Sequence, residues 1–320
     1  MIKRRQFFKY AGLSTVGFAF AVKRAVSAQS PVKQTSQALS ALKTFSFEVS
    51  TIDTCGQIQD THRNFAQFFS EHLSNSPPLR MVAIASGQFV MGASQVEPSG
   101  RMTEFPRHRV KVEKPFFMSQ SPITQAQWAM IAALPKVKRD LNPDPSHFQG
   151  RDRPVESISW WDAVEFCERL SQLTGRHYHL PSEAQWEYAC RAGTHTPFNT
   201  GATIISDLAD YVGSYTYARE TSGIYRQETT PVGSFSPNAF GLQDMHGNVW
   251  EWCADSWHES YRGATSNTQP WTSRGPSQAK VIRGGSWLDA PTKLRSASRS
   301  GYSATSLNRI IGFRVSCTMV

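Results

Sequence analysis

The stretch from Asn238 to Trp252, which reads NAFGLQDMHGNVWEW, constrains this chain more than any other, because it sets oxygen donors and large aromatics at the spacing of a tight loop. Asp244, the backbone at Gly247 and Val249, and Glu251 can converge on one hard cation. Calcium takes roughly six to eight oxygens from carboxylates and main-chain carbonyls, and a glycine-containing turn is how a short segment aims carbonyls inward. The competing reading has Asp244 capping a turn and Glu251 pairing with an arginine.

Three further stretches follow the same vocabulary: LPSEAQWEYACRAG over residues 180–193, Ile282-Arg283-Gly284-Gly285-Ser286-Trp287, and Gly312-Phe313-Arg314-Val315. Together and in this order, from about Met81 to Cys317, they resemble the formylglycine-generating enzyme (sulfatase-modifying factor) family. The resemblance implies an α+β fold, a variant of the C-type lectin fold with low regular secondary structure. It implies a calcium held at the positions of Asp244, Gly247, Val249 and Glu251. It also implies a disulfide between Cys167 and Cys317, although Cys317 sits two positions beyond the family's cysteine. The residue that would partner Cys190 is Ser296.

Length and charge bound the rest. At 320 residues and 39% hydrophobic content the chain can bury one sizeable core or two small ones. Its start is basic, Lys3-Arg4-Arg5-Gln6-Phe7-Phe8-Lys9, followed by an apolar run from Ala11 to Val22 and a small-residue exit at Val26-Ser27-Ala28. That order predicts a twin-arginine signal over residues 1–28 and a periplasmic or otherwise exported protein. Those residues hold six basic side chains and no acid, so a net charge of +9 drops by six to +3 on cleavage. The remaining basic residues are scattered, which argues against nucleic acid. No later run is long enough to span a membrane. The mature chain is expected to be monomeric.

Residues 29–43 read as a linker and residues 44–80 as an extension packed on the main domain, which occupies 81–320. Within the extension, Phe45 to Ile52 alternates as a strand does, and Phe65 to Leu73 reads as a short amphipathic helix. Met81 to Gly92 carries a hairpin signal, and Pro106 to Val112 alternates. Helices are expected over Trp161 to Leu173, capped by Ser159, and over Pro181 to Arg191, with Ser182 ahead of Glu183. Trp160, Trp186, Trp250, Trp252 and Trp287 are expected to fill the core, each indole N–H finding an acceptor.

The oxidase members of the family convert a sulfatase cysteine to formylglycine with two cysteines that bind copper(I). Soft thiolates suit that ion, so losing them removes the site. They lie between the Gly-Gly-Ser turn and the next arginine-rich strand; here the segment Ser286 to Arg295 contains no cysteine and is about three residues short. The copper mechanism therefore has no visible ligands. Ser286, which keeps the position beside the reacting thiol, and Cys253 are the remaining catalytic candidates, and a serine without a base is an ordinary turn residue. A second branch of the family makes sulfoxides or modifies siderophores, and its sulfoxide enzymes hold iron with histidines. His177 with His179, or His246 with His258, are the pairs that raise iron here. Arg295 and Arg299, with Trp250, either line a ligand cleft or pair with acids such as Glu183, Glu187 and Asp255.

These readings converge on an exported sulfatase-modifying-factor-like protein that acts on or binds a peptide or small molecule without the copper dithiol. If it is an enzyme, it is an oxidoreductase of the formylglycine-generating type. The alternatives are a non-catalytic, calcium-stabilised binding module and an iron-dependent oxidase.

Overall fold

A computed structural model describes residues 42–73, 76–272 and 278–318. The signal expected over 1–28 and nearly all of the linker expected over 29–43 lie outside these residues. Two antiparallel strands, β1 (Lys43–Ile52) and β2 (Ile58–Glu71), form a hairpin. Its second strand pairs with β3 (Leu79–Ile84), placing Phe68 opposite Val82 and Phe69 opposite Met81. Further along the chain come β4 (Gly87–Met91) and β5 (His108–Val112), which pair only with each other, and β6 (Phe116–Ser119). With β7 (Tyr178–His179) and β12 (Ser316–Thr318), the large sheet has the order β1-β2-β3-β6-β12-β7.

A second sheet has the order β10-β9-β8-β11. It is built from β8 (Trp250–Ser256), β9 (Ala279–Arg283), β10 (Arg299–Ser303) and β11 (Ile311–Gly312). Only its β11–β8 pair is parallel.

The extension thus continues the main sheet, and the segment expected as a helix over Phe65 to Leu73 is strand for most of its length. Phe65, Phe68 and Phe69 have the i, i+3, i+4 spacing of one helix face, whereas in a strand Phe68 points opposite to Phe65 and Phe69. The ladders to β1 and β3 decide. Phe68 turns inward onto Phe45 at 5.4 Å, Phe69 packs edge-on against Phe117 at 4.7 Å, and Phe65 is left exposed.

The hairpin expected over Met81 to Gly92 does not form either. β3 and β4 belong to different sheets, because Tyr188 fills the corner between them. Its hydroxyl donates to the Ala85 carbonyl at 3.2 Å and lies 2.5 Å from where a Cβ on Gly87 would stand.

Three helices pack on this frame: α1 (Gln125–Ala132), α2 (Trp160–Thr174) and α3 (Glu183–Arg191). Each starts at a capping box, with Thr124, Ser159 or Ser182 accepting from the third residue on while that residue's side chain accepts from the cap's own N–H. α1 was not foreseen, although Thr124-Gln125-Ala126-Gln127 carries that signature. On α2, Ala163, Phe166, Cys167 and Leu170 are buried as the spacing demands. The five tryptophans expected to be structural each have a bonded indole N–H: Trp160 to the Cys253 carbonyl, Trp186 to Glu251, Trp250 to Asp289, Trp252 to the Ile158 carbonyl and Trp287 to the Arg309 carbonyl. Among the described residues no helix is long and apolar enough to cross a membrane.

Candidate functional site

Four arginines between residues 283 and 314, Arg283, Arg295, Arg299 and Arg314, are committed to the interior, while Arg309 is exposed. Arg299 holds both oxygens of Glu183 at 2.6 and 2.8 Å and also donates to the Thr103 and His258 carbonyls. Arg295 holds both oxygens of Glu104 at 2.7 and 2.8 Å and reaches Glu97 at 2.7 Å. Arg283 lies between Glu183 and Glu187. Burial alone would push the Glu183 carboxyl up, but Arg299 and Arg283 outweigh it and hold the group below its ordinary value. Of the two readings of Arg295 and Arg299, the paired one holds. Trp250 is likewise buried. The ligand cleft expected at Trp250, Arg295 and Arg299 is therefore corrected to a set of structural ion pairs.

In the loop over residues 238–252, Glu251 is not available as the expected calcium ligand. Both oxygens of Glu251 are taken by Arg314, at 2.6 and 2.8 Å, and one also accepts the Trp186 indole at 2.7 Å. That carboxylate is not free for a cation. Asp244 is different: Oδ2 accepts the Gly233 N–H at 2.8 Å, while Oδ1 is buried without a partner. Asp210, from a separate loop, has both oxygens buried and unbonded, with Arg226 at 4.0 Å.

Burial pushes Asp210 up to about 7 and Asp244 up to about 6, and the proximity of Asp244 adds to the rise at Asp210. The two loops meet at Gly247, where a Cβ would lie 2.2 Å from the Asp210 carbonyl oxygen, so only glycine fits. Uncompensated buried carboxylates with orphaned oxygens are what a hard cation would relieve. Asp210 and Asp244 are the two carboxylates here with unbonded oxygens, and Glu251 is not one of them. Among the described residues no three His, Cys, Asp or Glu side chains converge. Any cation here would depend on carbonyl oxygens as well.

A third arrangement occupies the segment after the Gly284-Gly285 turn. Asp289 Oδ2 accepts the Ser286 hydroxyl at 2.5 Å and the Trp250 indole N–H at 2.8 Å. Its own backbone is fixed by Val212 N–H donating to the Asp289 carbonyl at 3.0 Å. Asp289 is half-buried beside exposed Leu288, so one face of its carboxylate reaches the surface. Lys293 follows on a 3-10 turn over Pro291–Lys293. Burial, then Arg101, pull its amine below the ordinary range, with Asp289 and Glu104 partly offsetting them. A carboxylate and a partly buried amine at one surface can accept from and donate to a polar ligand, or shuttle a proton. Asp289 and Lys293 both lie in the cysteine-free segment from Ser286 to Arg295, where no spacing rule marks them.

Residues 66–319 match the sulfatase-modifying factor enzyme 1-like domain. The chain belongs to that family.

The family domain begins inside β2, so β1 and the hairpin tip precede it. The formylglycine-generating enzyme of Mycobacterium tuberculosis is 29% identical over 295 residues, covering 73% of this chain and 96% of that protein. The serine/threonine-protein kinase pkn1 of Chlamydia pneumoniae is 28% identical across 73% of this chain; the chain spans only 37% of that kinase's length. Among solved structures, PvdO from Pseudomonas aeruginosa aligns with a TM-score of 0.67 at 32% identity, covering 78% of this chain and 98% of that one. The Treponema denticola variable protein 1 shares the fold, with a TM-score of 0.64 at 22% identity. The fold is thus the formylglycine-generating-enzyme type of the C-type-lectin-like architecture.

Within this sulfatase-modifying-factor-type domain the Ser286 to Arg295 segment carries no cysteine of its own. All five cysteines are free thiols, and only Cys55 is exposed. The bridge expected between Cys167 and Cys317 is corrected accordingly: both are buried thiols of one apolar cluster. Burial pushes Cys190 up to about 12 and Cys253 well above the ordinary thiol range. Cys253 lies against the Glu251 carbonyl at 3.9 Å and is no nucleophile. Cys190 lies beside His246 at 3.8 Å and Ser296 at 3.6 Å.

The iron reading loses His246. One ring nitrogen bonds the Leu294 carbonyl at 2.6 Å and the other accepts the Asn199 N–H at 3.1 Å, which fixes a neutral ring that burial holds at about 4. His258 is stacked on Trp271 at 3.7 Å with Nδ1 on the Ser256 carbonyl. His179 has Nδ1 on the Leu180 carbonyl.

The Arg314–Glu251 pair gives a direct test of the buried network. Arg314→Met leaves a carboxylate buried with the Trp186 indole as its one side-chain donor, and is expected to cost about 3–5 kcal/mol in urea unfolding. Adding Glu251→Gln should recover part of that loss, and a single variant within about 1 kcal/mol of the parent would show that the pair is not structural.

Proposed function

We propose that this chain is an exported member of the sulfatase-modifying factor family that works without thiol-bound copper. On this reading it binds a peptide or small molecule across the surface formed by Asp289 and Lys293, with buried Ser286 bonded behind Asp289. The observation that carries the reading is Asp289. In the segment where the resemblance looks for soft ligands, a hard carboxylate is already bonded to the Ser286 hydroxyl and the Trp250 indole. Copper(I) favours thiolates over such a group. The buried cysteines do not replace it, since their environment disfavours the thiolate. Chemistry at this surface is then acid–base or binding alone.

The test is incubation of the purified protein with copper(I), oxygen and a sulfatase-derived peptide carrying the target cysteine. The expected result is no aldehyde and no stoichiometric copper; formation of formylglycine would overturn the reading.

Export is supported by the paired Arg4 and Arg5 ahead of the apolar run. Replacing both by lysine should strand the protein in the cytoplasm of the expressing bacterium, as judged by cell fractionation. Undiminished export would remove the twin-arginine assignment.

A second reading, a calcium-stabilised binding module, is favoured by the unbonded oxygens of Asp210 and Asp244. Asp244, Asp210 and the backbone at Gly247 and Val249 would hold the ion. At a hundredfold excess over its Kd, calcium should stabilise the fold by about 2.7 kcal/mol, and a chelator should reverse this. Asp210→Asn with Asp244→Asn should abolish the chelator-sensitive part, and equal melting with and without calcium in the parent would refute the site.

A further inference from the structure

An open cavity of about 840 Å³ lies between residues 94–98, 195–202 and 217–219, with Thr54 in its wall. Its volume suits a small molecule or the end of a short peptide, for which binding cavities run to roughly 300–1,000 Å³. Its charge is one-sided. Arg107, Arg219 and His195 line it and are exposed, and among the described residues none of their side chains has an ion-pair or hydrogen-bond partner. The one acid in the lining, Glu97, is buried against Arg295 at 2.7 Å and so brings no free charge. Tyr217 supplies an aromatic wall held in place, its hydroxyl donating to the Pro98 carbonyl at 2.6 Å and its ring edge-on to Phe198 at 5.0 Å.

Thr54 is the unusual member, because it precedes the residues 66–319 that match the family domain. It sits at the tip of the β1–β2 hairpin, whose turn is closed by Asp53 accepting the N–H groups of Cys55 and Gln57 at 2.8 and 2.9 Å. The tip is tied into the cavity wall. Arg219 N–H donates to the Thr54 carbonyl at 3.0 Å, Ile52 N–H donates to the Thr200 carbonyl at 2.8 Å, and a Cβ on Gly56 would stand 2.8 Å from Ile205. One of the two free guanidinium groups is therefore carried by a residue whose backbone is hydrogen-bonded to the hairpin.

We propose that this cavity binds a small carboxylate-bearing ligand, with Arg107 and Arg219 receiving the carboxylate and the hairpin tip at Thr54 setting which ligand fits. Guanidinium groups match a carboxylate in charge and in planar geometry, and free ones at a concave surface are the standard receptor for it. The hairpin is then a specificity element that this chain adds to the family domain. The proposal does not rest on the Asp289–Lys293 surface, and it stands or falls separately.

The test uses the full chain immobilised and exposed to a random tripeptide pool with free C-terminal carboxylates, to the same pool amidated, to phenylacetate and to inorganic phosphate. The free-acid pool is expected to be retained at least about tenfold better than the amidated one, a difference of about 1.4 kcal/mol. Retention of phenylacetate in place of peptides would also support the carboxylate chemistry and would assign the source as a small molecule. Arg107→Gln with Arg219→Gln should remove that preference without moving the unliganded melting temperature, because neither side chain is bonded to the fold. Thr54→Trp should change which sequences are retained while the acid-over-amide preference persists. Equal retention of acid and amide pools, no retention of any carboxylate, preferential capture of phosphate, or an unaltered double variant would each overturn the proposal.

Discussion

Glu251 and Arg314 tie together the two sheets, which share no ladder, just beyond the β11–β8 pair in which Gly312 lies opposite Glu251. Glu251 lies on β8 of the smaller sheet, opposite Arg283 on β9. Arg314 lies two residues before β12 of the larger one and donates to the Ser119 carbonyl at the end of β6 and to the Gln243 carbonyl in the loop before β8. The Trp186 indole brings α3 to the same carboxylate. One buried charge pair thus joins both sheets, a helix and the loop most characteristic of the sequence. A buried pair of this kind is weak evidence for net stability, since its desolvation offsets much of the attraction. Its value lies in geometry, because few other arrangements satisfy both groups at once.

The same economy explains why so little regular structure suffices. Beyond α3 the chain is mostly loop, and a buried loop must find partners for its polar groups. Here side chains supply them: Asn238 accepts from the N–H groups of Phe240 and Leu242 while donating to the Ala189 carbonyl, and Asn248 bonds both backbone groups of Thr230. The arginines expected to face a ligand are drawn into this task. The surface left for chemistry is correspondingly small, and it is marked by groups the interior has not consumed: the outer face of Asp289, the amine of Lys293 and the free guanidinium groups of Arg107 and Arg219.

Much of this was legible in the sequence where a local rule carries the signal. The caps Ser159 and Ser182 start their helices, the amphipathic face of α2 is buried residue for residue, and the tryptophans have bonded indoles, four of them in the core and Trp160 half-buried. The motif order led to the right family and fold. What escaped was decided at a distance. The Phe65 to Leu73 segment has helical spacing in its phenylalanines, and pairing with β1 and β3 overrides it. Glu251 has the chemistry of a calcium ligand until Arg314, 63 residues on, takes both its oxygens. Asp210 meets the loop at Gly247 only through the fold, and no spacing rule links the two.

Gly247 shows how narrow such a meeting can be. Its φ of 87° and the carbonyl of Asp210 pressed against its α-carbon leave room for a hydrogen atom and nothing larger. The segment around Asp210 has no helix or strand of its own to fix its depth, so that contact works as a spacer gauge between two otherwise independent lengths of chain. A single added methyl would reset the gauge, and everything referenced to it, including the alignment of Asp210 with Asp244, would drift together.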